Sequence, residues 1–169
     1  MAQPALAMPW RVETEDENQR FRAIVSMGDP SFQLFCSGGE ASDSLNYVFV
    51  LEISPDLFDE PLPEVRSDVV VGVDNDGFLL PHLARKTADG AYQQRLSMAD
   101  PLFVALRQGK RLRLMLPDGR EMNRPLRGMS TTLSAAMAFC RNRLLARGIE
   151  PPPDLIPLYQ SSRPLGPAD

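Results

Sequence analysis

Apolar and polar residues alternate along much of the chain, which is the pattern of strands that bury one face. The alternation is clearest at 110–116, where Leu112, Leu114 and Leu116 fall on one side and Arg111 and Arg113 on the other. Turn-forming Gly, Pro, Asn and Asp residues separate the alternating segments. Strands are predicted at 10–14, 20–26, 31–36, 45–53, 65–73, 78–80, 91–96, 110–116 and 120–126.

A short helix is predicted between the strands at 91–96 and 110–116. Asp100 is a good N-cap, Pro101 suits the first helical position, and Gly109 is the residue expected just after the helix ends. Its apolar side is formed by Leu102, Phe103 and Leu106.

A longer helix follows the last strand. Ser130 or Thr131 is expected to cap it, and Gly148 is expected to end it. The residues that recur at helical spacing on its apolar side are Leu133, Ala136, Met137, Cys140 and Leu144.

These elements predict a mainly β (α+β) fold. We expect an antiparallel β-sandwich or partly open barrel, with one short inserted helix and one C-terminal helix. The single β-rich domain is predicted to span 10–148. Residues 1–9 are predicted to be a signal-peptide remnant or a disordered start, and 149–169, with six prolines among 21 residues, a Pro-rich extended tail.

Composition excludes several classes of function. The 169 residues carry a net charge of −4, which argues against a nucleic-acid binder. No apolar run is long enough to cross a membrane. With one His and two Cys, the chain has few of the usual metal ligands, so we predict no metal site and no cofactor.

Charge is unevenly distributed between the two halves of the chain. Residues 1–84 hold four arginines against fifteen acids, whereas 85–169 hold fourteen basic residues against seven acids. This asymmetry indicates either a basic interaction surface or acidic and basic strands that face one another within one domain. The candidate interaction surface consists of Arg111, Arg113, Arg120, Arg124 and Arg127.

The two cysteines and the first residues bear on the compartment. Ala5-Leu6-Ala7 is the small-x-small pattern that signal peptidase accepts, which favours export. In an oxidising compartment, Cys36 and Cys140 are predicted to form a disulfide. The alternative is a cytoplasmic protein with two buried free thiols.

Other candidate chemistries are weaker. Asp74-Asn75-Asp76-Gly77 contains part of a calcium-loop pattern, but Gly72 and the absence of a following Glu favour a plain turn. Cys36 with His82 could form a thiol dyad, although no sequence pattern supports one. No catalytic residues are therefore predicted, and we expect the protein not to be an enzyme.

Two segments resemble a known family. Trp10 and Cys36 are followed by the segment 102–114, in which a short helix ends in Gly before a strand, and by 125–137, in which Leu-x-Gly opens the last helix. This order resembles small exported bacterial proteins of the invasion-associated locus B type. It is also similar to periplasmic accessory proteins of type VI secretion systems. The resemblance implies an exported, non-enzymatic, β-rich protein.

The expected function is binding. We predict a periplasmic or secreted accessory protein that contacts another envelope protein or envelope component. The alternative is a carrier of a small apolar ligand, in a pocket between the sheet and the C-terminal helix. That pocket would be lined by Met115, Met129, Met137 and Phe139.

Overall fold

Two antiparallel sheets and two helices make up the chain that the computed structural model describes, namely residues 9–17, 20–27, 32–38, 47–54, 69–80, 84–85, 90–116, 119–151 and 163–165. The arrangement is an α+β, sandwich-like fold. The predicted fold class, with one short inserted helix and one C-terminal helix, is confirmed.

Sheet A has six strands. Its strands, in their order across the sheet, are β1 (Arg11–Glu17), β2 (Arg20–Ser26), β3 (Phe32–Gly38), β4 (Val48–Ile53), β8 (Tyr92–Ser97) and β7 (Ala84–Arg85). Alternation fixes its faces: on β2, for example, Phe21, Ala23 and Val25 are buried, while Arg22 and Ile24 lie on the outer face.

Sheet B has five strands. Their order is β10 (Glu121–Pro125), β9 (Arg111–Met115), β5 (Val69–Val73), β6 (Asp76–Leu80) and β11 (Arg163–Leu165). The strand β11 lies within the Pro-rich tail and pairs with β6, so an extended part of the tail adds an edge strand to the sheet.

The hairpin between β5 and β6 turns at Asp74 and Asn75, in the place where a partial calcium loop was considered. Asp74 adopts a left-handed conformation with φ 52°. Its carboxylate accepts hydrogen bonds from the backbone N–H groups of Lys110 (3.1 Å) and Arg111 (3.0 Å). The segment is therefore a turn, as predicted, and its acid holds the start of β9 in place.

Helix α1 (Pro101–Gln108) begins as the sequence predicts. The Asp100 carboxylate accepts the Leu102 N–H at 2.9 Å, and Pro101 occupies the first turn. Gly109 is required for a different reason than expected. Its backbone is extended, with φ −78°, and a Cβ at this position would overlap Cγ1 of Val73. The close approach of β5 thus excludes a side chain there.

Helix α2 (Met129–Ala146) begins earlier than predicted. Gly128 occupies the N-cap position with φ 86°, and no side chain caps the helix, so the prediction of a Ser130 or Thr131 cap is wrong. The left-handed backbone and the nearby Trp10 carbonyl explain the glycine. At the other end, Gly148 (φ 74°) donates to the Leu145 carbonyl, which confirms it as the terminator.

One core joins the two sheets and the helices. Helix α2 packs on the inner face of sheet A at β1, β2 and β3. A disulfide between Cys36 on β3 and Cys140 on α2 fastens the helix to this sheet, in the predicted pairing. The Trp10 indole N–H donates to the Pro125 carbonyl at 2.8 Å, which ties the start of β1 to the end of β10.

Candidate binding surface on sheet B

The outer face of sheet B is defined by the strand register, because directly opposed residues of antiparallel strands share a face. One row across this face runs Leu79, Val70, Met115, Glu121. The next row runs Leu165, Gly77, Gly72, Arg113, Asn123. The third contains Arg111 opposite Pro125.

The middle of this face is apolar. Leu79, Val70 and Met115 form a continuous cross-strand row, and each is only partly buried. Leu165 of β11 lies beside Gly77 and is 37% exposed. Within the part of the chain that the structure describes, the helices pack mainly on sheet A and on each other. The face therefore presents aliphatic side chains at the surface.

Two arginines border the apolar row. Arg111 and Arg113 are both exposed, and their cross-strand neighbours on β10 are Pro125 and Asn123. On the other side of Arg113 lies Gly72 of β5. Among the described residues, no carboxylate forms an ion pair with either guanidinium. The carboxylate of Asp74, which lies opposite Arg111, instead accepts backbone N–H groups.

The structure does not bring all five predicted arginines to one face. Arg124 lies opposite Leu112, which is buried, so Arg124 belongs to the inner side of the edge strand and is half-buried. Arg120 lies opposite Leu116, on the same side of the strand as Arg124, and is also half-buried. Arg127 follows β10 and is exposed. Its backbone carbonyl accepts a hydrogen bond from the backbone N–H of Trp10 at 3.1 Å. The outer face itself therefore carries Arg111 and Arg113.

The acidic first half of the chain has partners of its own. Asp16 on β1 forms an ion pair with Arg143 on α2 at 2.6 Å. Glu15 lies opposite Arg22, and Glu17 lies opposite Arg20. The ion pair between Asp16 and Arg143 thus joins the acidic half of the chain to the basic half, whereas the pairs across β1 and β2 lie within the acidic half. The two interpretations of the charge asymmetry both stay predictions.

The described residues do not bring together the candidate thiol dyad or a set of metal ligands. Cys36 is bonded to Cys140, and His82, its candidate partner in a thiol dyad, lies outside the described residues. Within the described ranges, no three His, Cys, Asp or Glu residues are grouped so that they could hold a metal ion. In the same ranges, no helix has the length and apolar character needed to cross a membrane.

The four residues predicted to line an apolar pocket are separated. Met115 is on the outer face of sheet B, whereas Met129 is fully buried in the core. Phe139 packs edge-to-face against Phe21 of sheet A, with ring centroids 6.3 Å apart. Met137 lies in a groove on the other side of α2. The four residues therefore do not share one pocket, and the predicted lining is corrected accordingly.

The groove at Met137 lies between α1, α2 and the start of β4. Its cavity volume is about 730 Å³. Tyr47 forms one wall, and its hydroxyl donates to the Ile149 carbonyl at 2.7 Å. Burial raises the pKa of the Tyr47 hydroxyl, Arg141 lowers it, and Glu150 adds to the rise. The sequence signal for this groove is the apolar pair Ala138 and Leu145, which lies outside the core stripe of α2.

Comparisons with known proteins give one distant similarity. No protein-family model matches the chain, and no curated protein matches it. Among solved structures, it is similar to invasion associated protein b from Bartonella henselae, with a TM-score of 0.42 and 17% sequence identity. The alignment covers 75% of this chain and 97% of that chain. The resemblance expected from the sequence is thus met as a distant structural resemblance only.

Proposed function

We propose that this protein is an exported, non-enzymatic binding protein of the bacterial envelope. The outer face of sheet B is its docking surface, and its partner is an envelope protein that presents an acidic surface. The observation that carries the proposal is the partly exposed row Leu79, Val70 and Met115 beside Arg111 and Arg113.

The composition of this face supports docking. Interface centres are apolar, and arginine is enriched in them because its planar guanidinium forms paired hydrogen bonds with carboxylates. Arg113 has no carboxylate directly opposite it within the sheet, and Asp74, which lies opposite Arg111 just after β5, uses its carboxylate to accept backbone N–H groups. A partner that brings carboxylates to this edge would complete the charge pattern, and its apolar residues would cover the aliphatic row.

The disulfide supports export. Stable disulfides are common in the periplasm and outside the cell and are rare in the reducing cytoplasm. The bond between Cys36 and Cys140 joins a strand to a helix in the middle of the fold. It also engages both cysteines of the chain, so a docking role fits the described side chains better than thiol chemistry does.

Charge reversal on the outer face of sheet B tests this function. Envelope and secreted fractions of the native host are separated by native electrophoresis, and the tagged protein is detected. Wild-type protein is expected in these fractions and in a complex larger than the 18.8 kDa monomer. The double variant Arg111→Glu/Arg113→Glu is expected to reduce the complex by at least about tenfold, because interfacial charge pairs of this kind contribute more than about 1.4 kcal/mol.

The matched control is Arg95→Glu, which reverses an exposed arginine on the outer face of sheet A. It is expected to leave the complex intact. The proposal is contradicted by a wild-type protein that runs as a monomer, by a double variant that keeps the complex, or by an equal loss in Arg95→Glu. A location confined to the cytoplasm contradicts the export part of the proposal.

A further inference from the structure

The groove between the two helices has the size and lining of a small-ligand site. A volume of about 730 Å³ falls within the range of small-molecule pockets, roughly 300–1,000 Å³. The lining residues are Tyr47, Met98, Ala99, Arg107, Ser134, Met137, Ala138, Arg141, Asn142, Leu145 and Pro151.

The apolar part of the lining is adaptable. The unbranched thioether chains of Met98 and Met137 lie in the groove, and such chains fit irregular or flexible apolar ligands. Leu145 on the same helix is 43% exposed, so it offers apolar surface that the fold leaves uncovered. The Tyr47 hydroxyl is engaged by the Ile149 carbonyl, and Tyr47 itself is only 3% exposed.

The charged part of the lining has one sign. Arg107 and Arg141 are the ionised residues among the described lining, and the nearest acid in sequence, Glu150, lies beside the Tyr47 wall without lining the groove. The Arg107 Nε donates to the Phe103 carbonyl at 3.3 Å, which orients its guanidinium. Among the described residues, neither arginine forms an ion pair with a carboxylate.

Arg143 of α2 and Arg147, the residue that follows the helix, show the contrast. Arg143 is paired with Asp16 and lies over the Phe139 ring, with its guanidinium carbon 5.3 Å from the centroid. Arg147 lies over the Phe21 ring at 4.9 Å. These two serve the packing of α2 on sheet A. Arg141 is on the groove side of the helix and has no such partner in the described part of the chain.

We propose that this groove binds a single-chain amphiphile with an anionic head, of the long-chain carboxylate class. The alkyl chain lies against Met98, Met137 and Leu145, and the head is bound by Arg107 and Arg141. None of the lining residues belongs to sheet B, so the site is separate from the proposed docking surface.

Binding of tetradecanoate to purified full-length protein tests the site, with isothermal titration calorimetry as the measurement. Wild-type protein is expected to bind one equivalent saturably. The double variant Arg107→Gln/Arg141→Gln is expected to bind about tenfold more weakly, because hydrogen bonds to charged groups contribute enough to change affinity by that factor. Tetradecanol, which lacks the charge, is expected to bind wild-type protein more weakly by a similar factor.

A steric pair locates the site. Ala138 is exposed and lines the groove, whereas Ala135, three residues earlier on α2, is exposed and does not line it. Ala138→Trp is expected to abolish binding, and Ala135→Trp is expected to bind as wild type does. Thermal unfolding of both variants verifies that each is folded, and the arginine variant tests the site independently of either.

Several results would overturn the proposal. These are a wild-type protein that shows no saturable binding, an Ala138→Trp variant that binds unchanged, and tetradecanol bound as tightly as tetradecanoate. If the groove instead holds a second copy of the chain, wild-type protein would be dimeric, Ala138→Trp would be monomeric, and neither would bind tetradecanoate. A groove that holds a peptide would bind an acidic, apolar peptide but no tetradecanoate.

Discussion

The outer faces of the two sheets have the same type of strand pairing but different charge patterns. On sheet A, Glu15 lies opposite Arg22, and Glu17 lies opposite Arg20. The Glu52 carboxylate accepts hydrogen bonds from the side-chain amides of two cross-strand neighbours, Gln33 and Gln93. The charged residues named here therefore lie opposite residues of opposite charge or accept side-chain amides, whereas the exposed Arg95 of the same face lies opposite Val50.

On sheet B, the corresponding positions are not matched. Arg111 lies opposite Pro125, and Arg113 lies between Asn123 and Gly72. Cross-strand pairs of opposite charge stabilise a sheet, so the pattern on sheet A serves the fold itself. Arg113 on sheet B has no opposite charge across the strands, which is the property that the proposed docking surface requires. The comparison separates charges that hold the domain together from charges that suit an interface.

The largest expected effect concerns the disulfide, which fastens α2 to sheet A and not to sheet B. The bond closes a loop between residues 104 positions apart. Replacing both cysteines with Ala is expected to lower the free energy of unfolding by about 4–5 kcal/mol, because the unfolded chain regains that loop entropy. Equilibrium unfolding in urea measures the change.

The control for this experiment is wild-type protein unfolded with and without reductant, which is expected to show the same difference. If the double cysteine variant loses less than about 1 kcal/mol, the bond contributes little to the stability of the sheet A side. The comparison would then rest on the surface charges alone.

A smaller effect distinguishes the two faces directly. Arg22→Glu removes the contact of its guanidinium with the Phe35 ring, 4.4 Å from the centroid, and places a carboxylate opposite Glu15. This variant is expected to lose about 1–2 kcal/mol of stability. Arg113→Glu, which faces Asn123, is expected to change stability by no more than about 0.5 kcal/mol. The stability change of each variant is measured from its midpoint of unfolding in urea, provided that the free energy of unfolding depends on urea concentration with the wild-type slope.

A charge swap is the internal control for the Arg22 variant. Adding Glu15→Arg to Arg22→Glu restores opposite charges across β1 and β2, so part of the lost stability is expected to return. Equal losses in Arg22→Glu and Arg113→Glu would show that the two faces do not differ as described.

The sequence predicts most of the elements because their signals are local. Alternation identifies β9, and an Asp-Pro start identifies α1. The disulfide follows from two cysteines placed on a strand end and on the core stripe of a helix. The strand and helix signals depend on residues close together in the chain. The disulfide joins distant residues, but two cysteines allow one intramolecular pairing, so it can still be predicted.

The arrangement of the arginines could not be predicted in the same way. Which face Arg120 and Arg124 occupy depends on the register of β10 against β9, and a shift of one residue reverses every side chain. The observed register places Arg124 opposite Leu112 and therefore away from Arg113. Alternation along each strand is visible in the sequence, whereas the registration of two strands is set by the turn that joins them.

Close approach of distant segments is equally invisible in the sequence. Gly109 is needed because Val73 packs against it, and β6, β7, β8 and α1 separate these two residues along the chain. The groove likewise joins Tyr47, Met98 and α2, which are far apart in sequence. Such features arise only when the sheets and helices are assembled.

The most direct test of the docking surface is site-specific photo-crosslinking in the native host. A photoreactive phenylalanine analogue replaces Asn123, exposed on the outer face of sheet B, or Arg95, exposed on the outer face of sheet A. We predict that position 123 crosslinks to an acidic envelope protein and that position 95 gives no adduct. Equal crosslinking from both positions, or an adduct from position 95 alone, would contradict the assignment of sheet B as the docking surface.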